Sequence, residues 1–163
     1  MNTRKLTITA LLTALAIVIP FAVFFKVVIP PFSATLGSHV PMFVSMVLGP
    51  KVAVFTGLGS FLGFLLNLGP LVGARAFMHV FVGLAGSLLI RKGVPYWKVS
   101  VVTAPLHGLL EVLVVMPFID FSVYNLLVIT GLGTVLHHFV DAAISYILVN
   151  VIRKSKIVDI PKI

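Results

Sequence analysis

Residues 49 to 92 read GPKVAVFTGLGSFLGFLLNLGPLVGARAFMHVFVGLAGSLLIRK. Two apolar runs, each close to the roughly 20 residues that a helix needs to cross a hydrocarbon core of about 30 Å, are separated by Gly69-Pro70. Lys51 bounds them at one end and Arg91-Lys92 at the other. This pattern predicts two membrane helices joined by a tight turn, with both basic ends on the same side of a bilayer.

Outward from this pair, apolar runs broken by Pro, Gly and charge give six spans: about 6 to 25, 36 to 49, 51 to 67, 70 to 90, 96 to 117 and 123 to 152. The second is short and follows Pro30-Pro31-Phe32-Ser33-Ala34-Thr35, so it is expected to be tilted, broken or partly re-entrant. The first follows Arg4 and Lys5 but is too long for the core of a signal peptide, and reads as a retained anchor. The whole chain agrees: of 163 residues, 60% are apolar and only 10% charged, with a mean hydropathy of +1.19. A soluble domain carries about 25% charged residues. Six spans leave about 27 residues for each helix and its loop, so residues 1–163 are expected to be one six-helix, all-α transmembrane domain without a soluble domain of ordinary size. There is no cysteine, which removes disulfides and thiolate metal sites. The net charge of +8 is scattered between apolar runs, which points to a bilayer and not to nucleic acid.

Basic residues collect on the cytoplasmic side. With the N-terminus inside, Arg4, Lys5, Lys51, Arg91, Lys92, Lys98, Arg153, Lys154, Lys156 and Lys162 are all cytoplasmic, against Lys26 alone outside, with Arg75 left within a span. Dropping one helix would move later clusters outside, so six spans with both termini inside is the expected topology. Tyr96 and Trp97 beside Lys98 suit an inner boundary, and Lys26 reads as a helix-end residue reaching for the interface.

Small residues cluster at Ala10, Ala14 and Ala16, at Gly57, Gly59 and Gly63, at Gly69, Gly73 and Ala76, at Gly83 and Gly86, and at Gly131 and Gly133. In lipid such residues let backbones approach, and internal packing is their expected use, although Ala10 and Ala14 share one face of the first helix and suit a partner as well. Ionisable groups within spans are costly and mark sites or partners. Three pairs stand at helical i, i+4 spacing: Arg75 with His79, His107 with Glu111, and His137 with Asp141. Depth along the antiparallel helices places Arg75 and Glu111 towards the outer face and His79 and His107 near the middle, so the four are expected to share an outward-facing cavity. Asn67, Tyr124 and Asn125 are expected at its mouth, with Ser33, Thr35 and His39 of the first loop over it. Neutralisation of Arg75 by Glu111 in a buried network is compatible with that reading. Asp141 lies deeper and reads as a structural hydrogen-bonding group, with a site role for His138 secondary.

Several chemistries are missing. No G-x-x-x-x-G-K-[ST] is present, so energy for pumping must come from elsewhere, and no H-E-x-x-H, G-x-S-x-G or paired carboxylates point to catalysis. No cofactor is expected, and the five histidines show no ligand spacing that points to metal. An inverted repeat of the kind many secondary transporters use is not evident.

The chain resembles the substrate-binding S components of energy-coupling factor (ECF) vitamin transporters over nearly its whole length. The resemblance rests on the six-span architecture, on Asn2-Thr3-Arg4-Lys5 leading into Ala10-Leu-Leu-Thr-Ala14, on the Pro-rich first loop and the Gly-rich third helix, and on the stretch from Ser33-Ala34-Thr35-Leu36-Gly37-Ser38-His39-Val40-Pro41 through Gly73-Ala74-Arg75-Ala76. It implies a bacterial multi-pass protein of the cell membrane that binds a vitamin, is not an enzyme, and works with a membrane coupling subunit and two cytosolic ATPases. It implies that Ala10 and Ala14 contact the coupling subunit, that the cavity lies near the outer face between the first loop and helices four to six, and that transport involves toppling of the whole bundle. The nickel and cobalt members carry a histidine near the N-terminus, which Met1-Asn2-Thr3 lacks, so no metal is expected to bind; the thiamine members differ in site aromatics, since the sole Trp97 lies at the inner end.

The vitamin stays open at this level. Arg75 suits a carboxylate, as in niacin, with His79 or His107 meeting a ring nitrogen. If Glu111 neutralises Arg75, pyridoxine or hydroxymethylpyrimidine fits, and pantothenate is a third candidate. Two other classes compete with a binding subunit: an autonomous proton-coupled carrier with a His and Glu relay, and an intramembrane enzyme using His107 and Glu111.

Overall fold

Gly49 and Gly69 hold φ at 124° and 83°, a region that favours glycine, and each is followed by a proline in the first turn of a helix. These two steps divide the apolar sequence into separate helices. In the computed structural model, which describes residues 3–155, the chain begins with α1 (Thr3–Ala22) and an antiparallel hairpin of β1 (Lys26–Ile29) and β2 (Phe32–Thr35). Then come α2 (Val40–Leu48), α3 (Pro50–Leu68), α4 (Pro70–Arg91) and α5 (Tyr96–Val115). After a 3-10 turn (Met116–Phe118), a π-type segment (Tyr124–Leu132) runs straight into α6 (Gly133–Lys154). Met1, Asn2, Lys156 and Lys162, which enter the N-terminal motif and the charge count, lie outside the described residues.

Among the described residues five helices are long and apolar enough to cross a membrane: α1, α3, α4, α5 with its 3-10 turn, and the π segment with α6. The expected second span is corrected. Only Val40–Leu48 is helical, a length of about 13 Å, while residues 36 to 39 form a turn hung from the hairpin. The α2–α3 turn lies beside the start of α1, since a Cβ on Gly49 would stand 3.2 Å from Lys5 Nζ. At the other end the Asn67 amide donates to the Pro20 carbonyl, so α1 and α3 run parallel. Their approach needs glycine: a Cβ on Gly59 would lie 2.7 Å from the Thr13 carbonyl oxygen, and one on Gly63 would meet the Ile17 backbone.

The polarity is inverted relative to a protein folded in water. Phe24 and Leu66 are 93% and 73% exposed, whereas Arg75 and Asp141 are 4% and 0% exposed. Hydrocarbon is the solvent such a surface suits. In the half of the bundle that carries the basic helix ends, α2 is enclosed: Met42, Phe43 and Met46 pack with Val82, Ile90, Val99 and Val149. Above this apolar floor sits a polar layer, and above that the hairpin. Lys26 on the hairpin donates to the Pro20 carbonyl at 2.9 Å, a helix-end contact.

Candidate functional site

The antiparallel course of α4 and α5 brings together groups 36 residues apart in sequence: Arg75 Nε donates to Glu111 Oε2 at 2.8 Å, and Nη2 stands 2.7 Å from the same oxygen. Thr134 of α6 donates to that oxygen as well, at 2.7 Å. Both members of the ion pair are buried, so removing either would strand a charge away from water. The hairpin takes the rest of the guanidinium. Nη1 donates to Ser33 Oγ at 3.2 Å and to the Pro31 carbonyl at 3.4 Å, Nη2 donates to the Ser33 carbonyl at 3.1 Å, and the Phe32 ring lies 5.3 Å from the guanidinium carbon. Arg75 thus ties α4 to α5 and also to the loop that covers them.

Between the loop and the helices is a cavity of about 20 Å³, room for one water-sized group. Of the residues expected at the site, His39, Arg75, His79 and Glu111 line it, as do Ser33 and Thr35 from the loop. His107, fully buried, stands beneath, with Nε2 3.4 Å from Glu111 Oε1. Asn67, Tyr124 and Asn125 are not among the lining residues. Asn67 joins α3 to α1, while Tyr124 and Asn125 ride on the π segment, several turns beyond Thr134, with Tyr124 largely exposed and the Asn125 carbonyl accepting from Thr130. Thr134, Ser38 and His137 line the cavity without having been singled out for it. Thr134, His137 and Asp141 repeat at i, i+3, i+7 on α6, a spacing that marks one helix face turned to the same layer.

Asp141 holds the loop from below. One carboxylate oxygen accepts from the Gly37 amide at 2.8 Å and the other from the His39 amide at 2.9 Å, with His39 Nδ1 3.3 Å and His137 Nε2 3.4 Å from the latter. Ser38 Oγ and His137 Nε2 are hydrogen-bonded at 3.1 Å. These contacts satisfy backbone groups of a non-helical turn lying within the bundle, a necessity where water is scarce.

Three imidazoles from three separate elements meet here. The His39 ring centroid is 4.6 Å from that of His79 and 4.7 Å from that of His107, and His79 and His107 are 5.2 Å apart. His79 Nδ1 is bonded to Ser60 Oγ at 2.8 Å and His107 Nδ1 to His138 Nδ1 at 3.1 Å, while His138 Nε2 donates to the Ser100 carbonyl at 3.1 Å. One ligand-type atom from each of His39, His79, His107 and Glu111 lies within 4.8 Å of the others. Sequence spacing concealed this group because its histidines come from a loop, α4 and α5.

Over 96% of its length the chain is similar to the niacin transporter NiaX of Lactococcus lactis subsp. cremoris (strain MG1363), with 33% identity across 173 aligned positions that cover 78% of that protein. No family model matches the chain, and no solved structure matches it.

Proposed function

The chain belongs to the substrate-binding S components of ECF vitamin transporters, and from that membership we propose that it captures niacin at the outer face of the membrane. The observation that carries this reading is a buried arginine beneath the hairpin in a relative of a niacin transporter. Arg75 spends donors of Nη1 and Nη2 on the three longest of its contacts, to Ser33 and Pro31, and a carboxylate displacing them from both nitrogens would gain charge-assisted, two-pronged hydrogen bonds. The cavity holds a water-sized group, so a pyridine ring enters only if the hairpin lifts. The hairpin is then the lid of the site. His39, His79 and His137 are the imidazoles that line the cavity, and the ring nitrogen would meet one of them.

In this reading the hairpin, the turn at 36–39 and α2 together complete one crossing, so the chain crosses six times with both termini cytoplasmic. Ala10 and Ala14 are exposed on α1, in an apolar groove with Leu6, Thr13, Ile17 and Phe55, a surface suited to a membrane coupling subunit that two cytosolic ATPases drive. The likeness favours neither the autonomous proton-coupled carrier nor an enzymatic role for His107 and Glu111.

The test is calorimetry on the purified chain in detergent with niacin, nicotinamide, pyridoxine, hydroxymethylpyrimidine and pantothenate. Niacin should bind most tightly, and nicotinamide, which lacks the carboxylate, at least about tenfold more weakly, as should niacin on Arg75→Ala, since hydrogen bonds to charged groups contribute about 1.5–3 kcal/mol. Equal affinity for niacin and nicotinamide, or tighter binding of another vitamin, would overturn the assignment.

A further inference from the structure

A chain of hydrogen bonds determines which nitrogen of His107 carries a lone pair. The Ser100 carbonyl can only accept, so His138 Nε2 is the donor in that contact, and neutral His138 presents an acceptor at Nδ1. His107 Nδ1 must then donate to it, which leaves the lone pair of neutral His107 on Nε2. That atom is completely buried, has no hydrogen-bond partner, and faces Glu111 Oε1 at 3.4 Å. Two electron-rich atoms pointed at each other in a buried place call for a cation between them. A proton on Nε2 would call for a hydrogen bond to Glu111, and at 3.4 Å, longer than the usual N–H···O bond, none is formed.

We propose that His39, His79, His107 and Glu111 bind one divalent transition-metal ion of the zinc, nickel or cobalt type beneath the lid. Three imidazoles and one carboxylate are a ligand set for these metals and not for calcium or magnesium, which take oxygen ligands. The four ligand-type atoms lie within 4.8 Å of one another. Around a tetrahedral ion with bonds of about 2.1 Å they would stand about 3.4 Å apart, so closure asks each to move inward by at most about 0.8 Å.

The surroundings are those of metal ligands, which characteristically spend their second polar atom on an orienting partner. His79 Nδ1 is held by Ser60, and His107 Nδ1 by His138 and, through it, the Ser100 carbonyl. His39 Nδ1 stands 3.3 Å from the Asp141 carboxylate without a hydrogen bond, and the His39 amide is what Asp141 holds. Glu111 Oε2 is held by Arg75 and Thr134, leaving Oε1 turned towards His107. The ion would sit among two carboxylates and one guanidinium, which offset part of its charge and leave the group net positive. Because His39 belongs to the turn below the hairpin while His79 and His107 belong to α4 and α5, a bound ion would fasten the base of the lid to the helices. The site shares His39, His79 and Glu111 with the lining of the vitamin cavity, so ion and vitamin would lie side by side.

The experiment uses the full chain in detergent. Metal content is measured by mass spectrometry after dialysis, and chelator-stripped protein is titrated with Zn2+ and Co2+ while following thermal unfolding and visible absorption. About one ion per chain, a rise in Tm with Zn2+, and the absorption bands of tetrahedral Co2+ are expected. His107→Gln should lower retained metal to below about one-tenth of that amount. If this variant does not fold, the Co2+ spectrum and stoichiometry of the unaltered chain decide by themselves. No retained ion, with neither a thermal shift nor Co2+ bands, would overturn the proposal and leave a proton on His107 Nε2. So would full metal retention by folded His107→Gln, which would place the ion elsewhere. Niacin titration of the stripped protein keeps this outcome separate from the vitamin assignment.

Discussion

Around α2 the bundle is joined by shape: Phe43, Met42 and Met46 fill the space between α4, α5 and α6 with almost no polar contact. One layer further out the same helices are joined by charge and hydrogen bonds, through Arg75, Glu111, Thr134 and Asp141, and the loop above rests on a few polar contacts. The difference is one of reversibility. Apolar packing has no substitute for a missing neighbour, so the inner half is a rigid floor. A guanidinium or an imidazole accepts a different partner at little net cost, so in the proposed reading the outer half exchanges lid contacts for ligand contacts. A binding subunit that must open, close and stay folded needs both, in that order from the inside outward.

The sharpest way to break this comparison is to damage the floor. Phe43→Ala should cost about 3–5 kcal/mol of stability, read as a lowered unfolding temperature in detergent, while niacin affinity of the still-folded fraction changes less than that of Arg75→Ala. A larger loss of affinity than of stability would show that the floor takes part in binding. A smaller effect is expected at the hinge between the halves. Asp141→Asn keeps one acceptor for the amides of Gly37 and His39 and should cost about 1–2 kcal/mol, with faster hydrogen exchange at residues 33–39 and unchanged exchange in α2. Equal acceleration in α2 would mean that the two layers open together. The smallest effect on either half is expected from Ala14→Trp, on the exposed face of α1: ligand affinity and stability should stay within about 0.5 kcal/mol of the original, while recovery of a complex with the coupling subunit and ATPases is lost. Normal complex recovery would remove α1 as the docking face.

Much of the fold was legible because a bilayer imposes a coarse code. Run length, Gly-Pro steps and the asymmetry of Lys and Arg place α1, α3, α4, α5 and the π segment with α6 within a few residues of their ends. The Arg75–Glu111 pairing was legible for a related reason: two opposite charges at equal depth on antiparallel helices have few other partners. The second span was misjudged in length because apolar residues inside a protein and apolar residues facing lipid look alike in sequence, and α2 is almost entirely of the first kind. The strands of Lys26–Thr35 were hidden behind two prolines that read only as loop. Asn67, Tyr124 and Asn125 were placed by polarity and depth alone, and depth says nothing about which face of the bundle a residue occupies.

By itself, then, the sequence determined the apolar surroundings, the extent of the long helices and the matching heights of Arg75 and Glu111, since these follow from the transfer energies of side chains and need no knowledge of neighbours. Only the tertiary structure decided that a turn holding His39 drops between the helices to meet Asp141, 102 residues away, and that three histidines from three elements converge on Glu111. Those contacts arise from how helices rotate and pack against one another, a property of close-packed surfaces that no local pattern of residues encodes.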